Sequence, residues 1–597
     1  MPLTSTPDLG SSRRLAGVAA VVTLCVWAML AWSHGDIVRT LGDTDDAMRM
    51  VRVRALLAGQ GWYDQHIVRL QPPLGSTMHW SRLLDGALAA VDWLFSRLVS
   101  PGAAEWGMRF VWPLAWIAPA VICALTMARR LGGRSAVLIA AVLLLVDVQL
   151  YAQFRPGRID HHNIQIVMTL IAASCAVAGG RRARWAALAG AASGLGLAVG
   201  IEALAFHALI GAGYALGLVF DPDKARVARA YGLALVAASV TCFVLQTPPG
   251  LWSLSVCDAL GWNLILAIVI GGLGLAAVAT WAGRASGPLR LAMIGGVGLA
   301  AAAAYLAMDP ACLHGPMAAV DPRLRPVWLD RIQELRTWPA LWRLDRDTAI
   351  VSITMVAMGV ASAAFLLARR IRGPDTAVLL ATALIALAGL ATSQAFRLDD
   401  YAFWFGIPAV AAMLSLLVDD GLNGALVAAL AAAIFLSPQV VAALATQLVH
   451  AATPTTEVAA KAAATRPDPC LNTQSYVQLA SLPPGLVLAP IDLGPFVLAH
   501  TQSSVLSAPY HRMAWGILAA HDALNAPTIA AQARVRALRA RYVVDCPGDN
   551  SDPPAASLTD DLRRGRAPAW LRVLSAPGQT LQIYSVEPAA VAVAAKP

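Results

Sequence analysis

Thirteen apolar stretches dominate the chain, and each is close to the roughly 20 residues that a helix needs to cross a hydrocarbon core. Only 14% of the residues are charged, against about 25% in soluble domains. This excludes a soluble enzyme, a disordered chain and a nucleic-acid-binding surface. The sequence therefore predicts a polytopic α-helical membrane protein with about 13 transmembrane helices and no nucleic-acid partner. The stretches begin near residues 15, 107, 135, 163, 186, 203, 229, 260, 289, 349, 375, 402 and 421.

Basic residues recur in every second loop, which predicts the orientation because cytoplasmic loops are rich in Lys and Arg. Arg13 and Arg14 precede the first stretch, which we expect to remain as a membrane helix because it is long for a signal peptide. The N-terminus is then cytoplasmic, in a multi-pass protein of the cell (inner) membrane. Asp419 and Asp420 break the pattern in the last inner loop. The other basic groups contain Arg129, Arg130 and Arg134; Arg181, Arg182 and Arg184; Lys224, Arg226 and Arg229; Arg284 and Arg290; and Arg369, Arg370 and Arg372.

The hydropathy divides the chain into two parts. Residues 1–449 form the predicted transmembrane domain, with two long outer loops at 34–105 and 307–348. Loops of this length are uncommon unless they are functional. With an odd number of crossings, the Pro-rich segment 450–597 lies on the extracytoplasmic (periplasmic) side.

Segment 450–597 has the pattern of a small α/β domain. Strand-like runs at 486–489 and 541–545 flank a helical stretch near 526–541. Disulfide bonds are stable outside the cytoplasm, so Cys470 with Cys546, and Cys257 with Cys312, are two pairs that could form.

An acidic cluster opens the first outer loop. Asp43, Asp45 and Asp46 are three carboxylates within four residues, and arginines follow at helical spacing. Such carboxylates can surround a divalent cation. They can equally mark a helix start, where acidic groups complement the helix dipole. The sequence leaves both interpretations open.

A second cluster, Asp160-His161-His162, lies in a tight outer turn between the third and fourth stretches. In an extended turn, Asp160 and His162 project to the same side and His161 faces away. Aspartate and histidine together suit Mn²⁺, Mg²⁺ or Zn²⁺. The alternative is a polar turn in which Asp160 caps the following helix.

Other ionisable residues are weaker candidates. The charged residues of loop 307–348 recur at helical spacing, which predicts an amphipathic helix on the bilayer surface. Arg397, at the outer end of the eleventh stretch, could hold phosphate oxygens or pair with Asp399 or Asp400. The sequence contains no GxxxxGKS loop, GxSxG elbow or HExxH pair, so ATP, serine-hydrolase and zincin chemistry are not predicted.

The order and spacing of these groups resemble the catalytic subunit of oligosaccharyltransferase, within the GT-C class of polyprenol-dependent membrane glycosyltransferases. The resemblance covers roughly residues 15–515. It implies thirteen spans, a cytoplasmic N-terminus, an outer C-terminal domain and long outer loops after spans one and nine. Hydropathy gives the same arrangement.

Individual motifs carry the resemblance. Asp46 and Arg52 stand six positions apart, like the acid and arginine of the family's first motif. Asp160-His161-His162 resembles its second motif, which reads D-x-H in archaeal members. The remaining matches are Pro72-Pro73-Leu74-Gly75 with His79, Arg331-Ile332-Gln333-Glu334, and Arg397 at the position of an arginine that meets the lipid phosphate.

The chain departs from the family at the segment that reads WWDYG in oligosaccharyltransferases. Its best counterpart, Pro490-Ile491-Asp492-Leu493-Gly494, lacks both tryptophans, which hold the Ser or Thr of an Asn-x-Ser/Thr acceptor. An asparagine sequon is therefore not the expected acceptor. The acceptor is instead a glycan, a lipid or another protein side chain, met by Asp492, Tyr510, His511 and Arg512.

The resemblance implies an inverting transfer of a sugar or oligosaccharide from a polyprenyl-(pyro)phosphate donor. It implies that Asp46, Asp160 and His162 hold a divalent metal, Mn²⁺ or Mg²⁺, that assists the departing phosphate. Asp45, Asp46 or Glu334 would orient or deprotonate the acceptor. The other predicted substrate-binding residues are Arg52, His79, Arg158 and Arg397. A lipid-linked sugar flippase or transporter is the alternative function.

Overall fold

The computed structural model describes residues 9–34, 40–318, 320–369, 375–416, 430, 432–452, 469–547 and 553–588. Most of these residues form a bundle of long apolar helices. The bundle contains α1 (Leu9–Ser33), α4 (Pro101–Ala115), α5 (Ile117–Val146), α6 (His162–Ala178), α7 (Ala183–Val199), α8 (Leu204–Phe220), α9 (Ala225–Gln246), α10 (Trp262–Trp281), α11 (Gly287–Met308), α14 (Arg346–Arg369), α15 (Thr376–Gln394), α16 (Asp399–Leu416) and α17 (Pro438–Ala452).

Seven helical segments of the described chain are long and apolar enough to cross a membrane, and α6, α7 and α8 are shorter apolar helices. Twelve of the thirteen predicted stretches lie on described helices, whereas the stretch near residue 421 lies outside the described residues. The chain is therefore a multi-pass membrane protein.

Helix α5 bends at Gly133, which lies between the second and third predicted stretches. Gly133 has φ 78° and ψ −154° within an otherwise helical segment. Residues with a side chain rarely adopt a positive φ, so a glycine at this position permits the bend. The bend separates two apolar halves of one helical segment, which hydropathy predicts as two spans.

The first long loop folds into short elements. It contains α2 (Thr44–Leu57), α3 (Arg82–Ser96) and an antiparallel pair, β1 (His66–Ile67) and β2 (Ser76–Thr77). Helix α2 is buried along most of its length, from Asp46 to Val53. Helix α2 is therefore packed inside the fold over this part of its length and is not a surface helix.

The predicted amphipathic helix in loop 307–348 is wrong. The segment forms five short pieces because prolines recur along it, and each proline removes an N–H donor and breaks the helical hydrogen-bond ladder. Cys312 joins this loop to Cys257 through a disulfide bond. The pieces are Pro310–His314, α12 (Leu324–Val327), Leu329–Arg331, Gln333–Leu335 and α13 (Trp338–Leu344).

The C-terminal unit is an α/β structure, as its sequence pattern predicts. Its sheet has the order β4-β3-β5-β7-β6, with β3 parallel to β4 and β5, and β7 antiparallel to β5 and β6. A disulfide bond joins Cys470 to Cys546. The elements are α18 (Val477–Ser481), β3 (Leu486–Leu488), α19 (Gly494–His500), β4 (Ser504–Val505), α20 (Ala514–Leu524), α21 (Thr528–Ala537), β5 (Tyr542–Asp545), α22 (Leu558–Arg563), β6 (Leu571–Val573) and β7 (Gln582–Val586).

The C-terminal unit packs on the first long loop. Bridges join Thr40 to Asn472 and Leu70 to Val505, and the Tyr510 hydroxyl donates to the Thr44 carbonyl over 3.0 Å. The long loops and this unit thus gather at one end of the bundle, which we term the loop end. Ion pairs between Arg130 and Asp375, and between Arg181 and Asp221, lie at the opposite end.

Candidate functional site

The candidate site begins where α2 starts, at the loop end of the bundle. Asp43 is the N-cap, and its carboxylate accepts hydrogen bonds from the backbone N–H groups of Asp45 and Asp46. The Asp46 carboxylate reaches back to the Asp43 N–H, which completes a capping box. The acidic cluster is therefore a helix start, one of the two interpretations that the sequence leaves open.

Asp46 joins α2 to the turn between α5 and α6. Its Oδ1 accepts hydrogen bonds from the backbone N–H groups of Ile159 (2.8 Å) and Asp160 (3.0 Å). Its Oδ2 accepts from Arg158 over 2.8 Å. These hydrogen bonds fix the backbone that carries Asp160, so both sequence clusters meet at one place.

Asp160, His161 and His162 bring potential metal-ligand atoms within 4.8 Å of one another. His161 Nδ1 lies 2.7 Å from Asp160 Oδ1, and His162 Nε2 lies 3.3 Å from Asp160 Oδ2. The two imidazole rings are 4.2 Å apart. Asp46 does not belong to this group, because its carboxylate is directed to the turn backbone and to Arg158.

The expectation that His161 faces away from Asp160 is wrong. It assumed an extended turn, whereas His161 has φ −74° and ψ −18° and is itself the N-cap of α6. In this helical conformation His161 turns towards the acid. Asp160 is also not the cap that the alternative interpretation required, because the side chain that accepts from the first turn of α6 is Asn163, which accepts from the Ile164 N–H over 2.8 Å.

His161 is held between two carboxylates. Its Nε2 lies 3.2 Å from Glu202 Oε1, and its Nδ1 contacts Asp160. Burial lowers the pKa of His161, but the charges of Asp160 and Glu202 outweigh burial and raise it to about 10. A metal ion binding through His161 must therefore displace its proton.

Arg397 completes the cluster from the start of α16. Its Nη2 donates to His162 Nε2 over 3.0 Å and lies 3.7 Å from Glu202 Oε1. A guanidinium only donates, so this nitrogen of His162 carries a lone pair. Glu202 thus joins the cluster from the loop between α7 and α8, 41 residues away from its partner His161.

The donor set suits a metal ion. Asp160 Oδ2 is buried and has no hydrogen-bond partner among the described residues, and a buried, unsatisfied oxygen is costly. The His162 lone pair lies 3.3 Å away from it. One carboxylate oxygen and one or two imidazole nitrogens are typical ligands of Zn²⁺ and Mn²⁺.

Two further carboxyl groups lie close to the cluster. No described residue donates a hydrogen bond to the half-buried Asp45 carboxyl group. Burial, followed by the charges of Asp160, Asp43 and Glu334, raises the pKa of Asp45 well above its usual range. Glu334 is exposed and lines a cleft of about 460 Å³ together with Asp43 and Arg158.

A buried cluster of arginines around Asp85 lies next to the site. Asp85 accepts from Arg49 over 2.8 Å and lies 2.6 Å from Arg52 and 3.5 Å from Arg82. Arg49 lies over the Trp80 ring and approaches Asp160 to 3.6 Å. Arg52, a predicted substrate-binding residue, is thus held by Asp85.

Predicted acceptor residues of the C-terminal unit are engaged in a different contact. Arg512 donates two hydrogen bonds of 2.8 Å to Asp258, and His511 Nε2 lies 2.7 Å from the same carboxylate. His79 stacks on His511 at 4.6 Å. Asp492 is exposed in the turn Ile491–Leu493. His511 and Arg512 therefore hold the C-terminal unit on the loop that follows α9.

No family model matches the sequence, and no curated protein matches it. The fold is similar to solved archaeal structures at 14% sequence identity. Oligosaccharyltransferase AglB from Archaeoglobus fulgidus, in complex with an inhibitory peptide and a dolichol-phosphate, has a TM-score of 0.64 over 98% of this chain and 76% of that chain.

Two other crystal structures of Archaeoglobus fulgidus oligosaccharyltransferase are similar at the same identity. The structure tethered to an acceptor peptide containing the NVT sequon has a TM-score of 0.62, covering 89% of this chain and 69% of that chain. The complex with Zn and sulfate has a TM-score of 0.58, covering 89% and 68%. The chain therefore has the GT-C fold of the oligosaccharyltransferase catalytic subunit, which confirms the fold that the resemblance implied.

Proposed function

We propose that this protein is an integral-membrane glycosyltransferase. It transfers a sugar or oligosaccharide from a polyprenyl-(pyro)phosphate donor to an extracytoplasmic acceptor. The observation that carries the proposal is the cluster of Asp160, His161, His162 and Arg397 at the loop end of a GT-C fold. A carboxylate, imidazoles and a guanidinium are the groups needed to hold a cation and a phosphate together.

The cluster would hold one divalent metal ion through Asp160 and the histidines. Bound there, the ion would act as a Lewis acid towards the oxygens of the departing phosphate. The crystal structure of an archaeal oligosaccharyltransferase in complex with Zn and sulfate supports a divalent metal in a protein of this fold. Because imidazole is a poor ligand for Mg²⁺, Mn²⁺ or Zn²⁺ fits the donor set better. Asp46 would position the turn through its hydrogen bonds.

Arg397 would bind the phosphate of the donor. Its guanidinium contacts His162 and approaches Glu202, so its position is fixed before a ligand arrives. Two parallel N–H groups match two phosphate oxygens, which an ammonium cannot do. A dolichol-phosphate bound to AglB supports a donor of this class. Its isoprenoid would remain in the bilayer while the phosphate meets the loop end.

Asp45 would activate the acceptor. Its raised pKa makes its carboxylate a stronger base than an ordinary aspartate. The acceptor would give its proton to Asp45 as it attacks the anomeric carbon, and the phosphate would leave from the opposite face with the bonding electron pair. One displacement of this kind inverts the configuration. Glu334 would orient the acceptor from the neighbouring cleft.

The acceptor would not be an asparagine sequon. Asp492 keeps the position of an acid in the resembled motif, but Ile491 and Pro490 replace the tryptophans. Pro490 and Ile491 offer no side-chain hydrogen-bond donor for the hydroxyl of a Ser or Thr. A glycan, a lipid or another side chain is the proposed acceptor, with the loop end on the extracytoplasmic side.

A transfer assay tests this function. The purified full-length protein is placed in lipid nanodiscs with radiolabelled polyprenyl-linked sugars and a cell-envelope acceptor extract. We expect label transfer that stops on addition of EDTA and returns with Mn²⁺ or Zn²⁺. Asp160→Asn should lower the transfer rate by about 10²–10³, the range found when one transition-state contact is lost.

The matched control is Asp223→Asn, which changes an exposed aspartate at the opposite end of the bundle. It should transfer like the wild type. Transfer by the wild type that resists EDTA, or full activity of Asp160→Asn, would refute the metal site. Movement of the labelled lipid across vesicles with no transfer would favour the flippase.

A further inference from the structure

A second cleft lies between α2 and the C-terminal unit. Its volume is about 580 Å³, within the range of about 300–1,000 Å³ that small-molecule sites occupy. It is lined by the second half of α2, from Val51 to Ala58, and by residues 498–502 at the end of α19. None of the cluster residues Asp160, His161, His162 and Arg397 lines this cleft, so the cleft is separate from the metal cluster.

The lining of this cleft is strongly basic. Arg52, Arg54, Arg69 and Arg82 line it, and none of its described lining residues is an aspartate or glutamate. Arg54 is neutralised by Glu105 at 2.8 Å. The other three arginines leave an excess of positive charge around the cleft.

The excess follows from the salt bridges. Arg52 and Arg82 share Asp85 with Arg49, which also pairs with Asp160, so the two arginines that line the cleft have one carboxylate between them. Arg69 forms no salt bridge among the residues that the structure describes, and donates instead to the carbonyls of Leu498, Thr501 and Ser503. Carbonyls fix a guanidinium without cancelling its charge.

Arg52 has unused donors at this cleft. Its side chain is 2% exposed, and its Nε and Nη1 have no hydrogen-bond partner in the described part of the chain. Burial lowers the pKa of Arg52 to about 10, and the neighbouring charges of Arg49 and Arg82 act in the same direction. The Nε and Nη1 atoms lie beneath the surface of the cleft, so Arg52 contributes its positive charge to the cleft and not a direct hydrogen bond.

The rest of the lining combines uncharged polar groups with apolar side chains such as Val51, Ile67 and Leu498. Gln65 holds Arg52 through a 2.7 Å hydrogen bond, and Gln60, Thr501 and Gln502 also face the cleft. Amide and hydroxyl groups of this kind are suited to the hydroxyl groups of a sugar. Fixed cations with neutral polar neighbours thus match a ligand that has both an anionic group and hydroxyl groups.

We propose that this cleft is a binding site for an anionic saccharide, one that carries a carboxylate or a phosphate group. Arg69 binds the anionic group, the buried charges of Arg52 and Arg82 attract it, and the amide side chains bind the hydroxyl groups. Binding at this site requires neither the metal cluster nor transfer, so it stands apart from the glycosyltransferase proposal.

Direct binding tests the proposal. The purified full-length protein in nanodiscs, with EDTA present, is titrated by calorimetry with glucuronate, glucose 1-phosphate and glucose. We expect at least one of the two anions to bind, with affinity that falls as salt rises, and glucose not to bind. Binding of glucuronate alone identifies a carboxylate ligand, and binding of glucose 1-phosphate alone identifies a phosphate ligand.

The test variant is Gln502→Glu, which adds a negative charge to the exposed rim and removes no buried contact. It should weaken binding of the anion by about tenfold, because like charges at close range repel. Gln474→Glu makes the same change on the exposed surface of the C-terminal unit, outside the cleft, and should bind like the wild type. Absence of binding for both anions, or equal binding by wild type and Gln502→Glu, would overturn the proposal.

Discussion

The role of Asp46 can be separated from that of Asp160 by changing each to asparagine. The structure gives the two carboxylates different partners. Asp46 accepts from two backbone N–H groups of the turn and from Arg158. Asp160 Oδ2 has no hydrogen-bond partner among the described residues, and the Asp160 carboxylate lies beside two histidines. We therefore expect Asp46 to position the turn and Asp160 to be a ligand.

The contacts of Asp46 determine how much metal affinity the Asp46→Asn variant should lose. In Asp46→Asn, the side-chain oxygen still accepts from Ile159 and Asp160. The hydrogen bonds from Arg158 (2.8 Å) and from the Asp43 N–H (3.3 Å) are lost, because an amide NH₂ then faces two donors. A hydrogen bond to a charged group contributes about 1.5–3 kcal/mol, which corresponds to roughly 10–100-fold in affinity. The same range is found when a residue that supports a metal ligand is changed.

Asp160→Asn should lower metal affinity by more than this range of roughly 10–100-fold. The change removes the carboxylate that lies beside both histidines, and with it the only negative charge among the three proposed ligands. Metal-stripped proteins are titrated with Mn²⁺ by calorimetry and by electron paramagnetic resonance, and the transfer rate is measured at each metal concentration. Thermal unfolding confirms that both variants are folded.

We expect Asp46→Asn to recover transfer at higher metal concentration and Asp160→Asn not to recover it. Equal losses of metal affinity in the two variants would show that Asp46 is itself a ligand. The hydrogen bonds to the turn would then have to break when the ion binds. Absence of Mn²⁺ or Zn²⁺ binding by the wild type would refute the reasoning altogether.

Three other predictions follow from single contacts. Arg397→Lys should lower transfer by about 10–100-fold with metal affinity unchanged, because lysine cannot make the paired phosphate contact; equal transfer by the variant would contradict this. Burial raises the pKa of Asp258, but hydrogen bonds from His511 and Arg512 outweigh burial and hold it below its usual range. Its stabilisation is thus present above about pH 4 and is lost as the pH falls. Asp258→Asn should lower Tm by several degrees at pH 7, and the difference should vanish in acid; a difference that persists in acid would contradict it. Gly42→Ala should lower both Tm and metal affinity, because its Cβ would lie 2.2 Å from Asp46 Oδ2 at φ +77°; an unchanged Mn²⁺ titration would contradict it.

The membrane part of the fold could be predicted because its signal is local. An apolar stretch long enough to cross a membrane is visible within about 20 residues, and twelve of the predicted stretches lie on described helices. Loop 307–348 shows the limit of this reasoning. Charges at helical spacing predicted one helix there, but recurrent prolines divide the segment into short pieces.

Half of the candidate site could also be predicted, because Asp160 and His162 are two residues apart. The contacts between distant residues could not be predicted. Arg397 and His162 are 235 residues apart, and His511 and Asp258 are 253 residues apart. Ion pairs between distant loops leave no periodic pattern in a sequence. Arg49 and Asp85 have ordinary helical neighbours, and nothing in the sequence indicates that both side chains are fully buried together.

The wrong prediction that His161 faces away from Asp160 also results from a contact between residues distant in the sequence. An extended turn would have placed His161 away from Asp160, but the turn is held in a helical conformation from outside. Asp46 accepts from the N–H groups of Ile159 and Asp160, and these are the donors that a free turn would direct to water. A residue 114 positions away from Asp160 thus decides that His161 as well as His162 faces the acid. The first acidic motif therefore determines the geometry of the second, whether or not its carboxylate ever touches the ion.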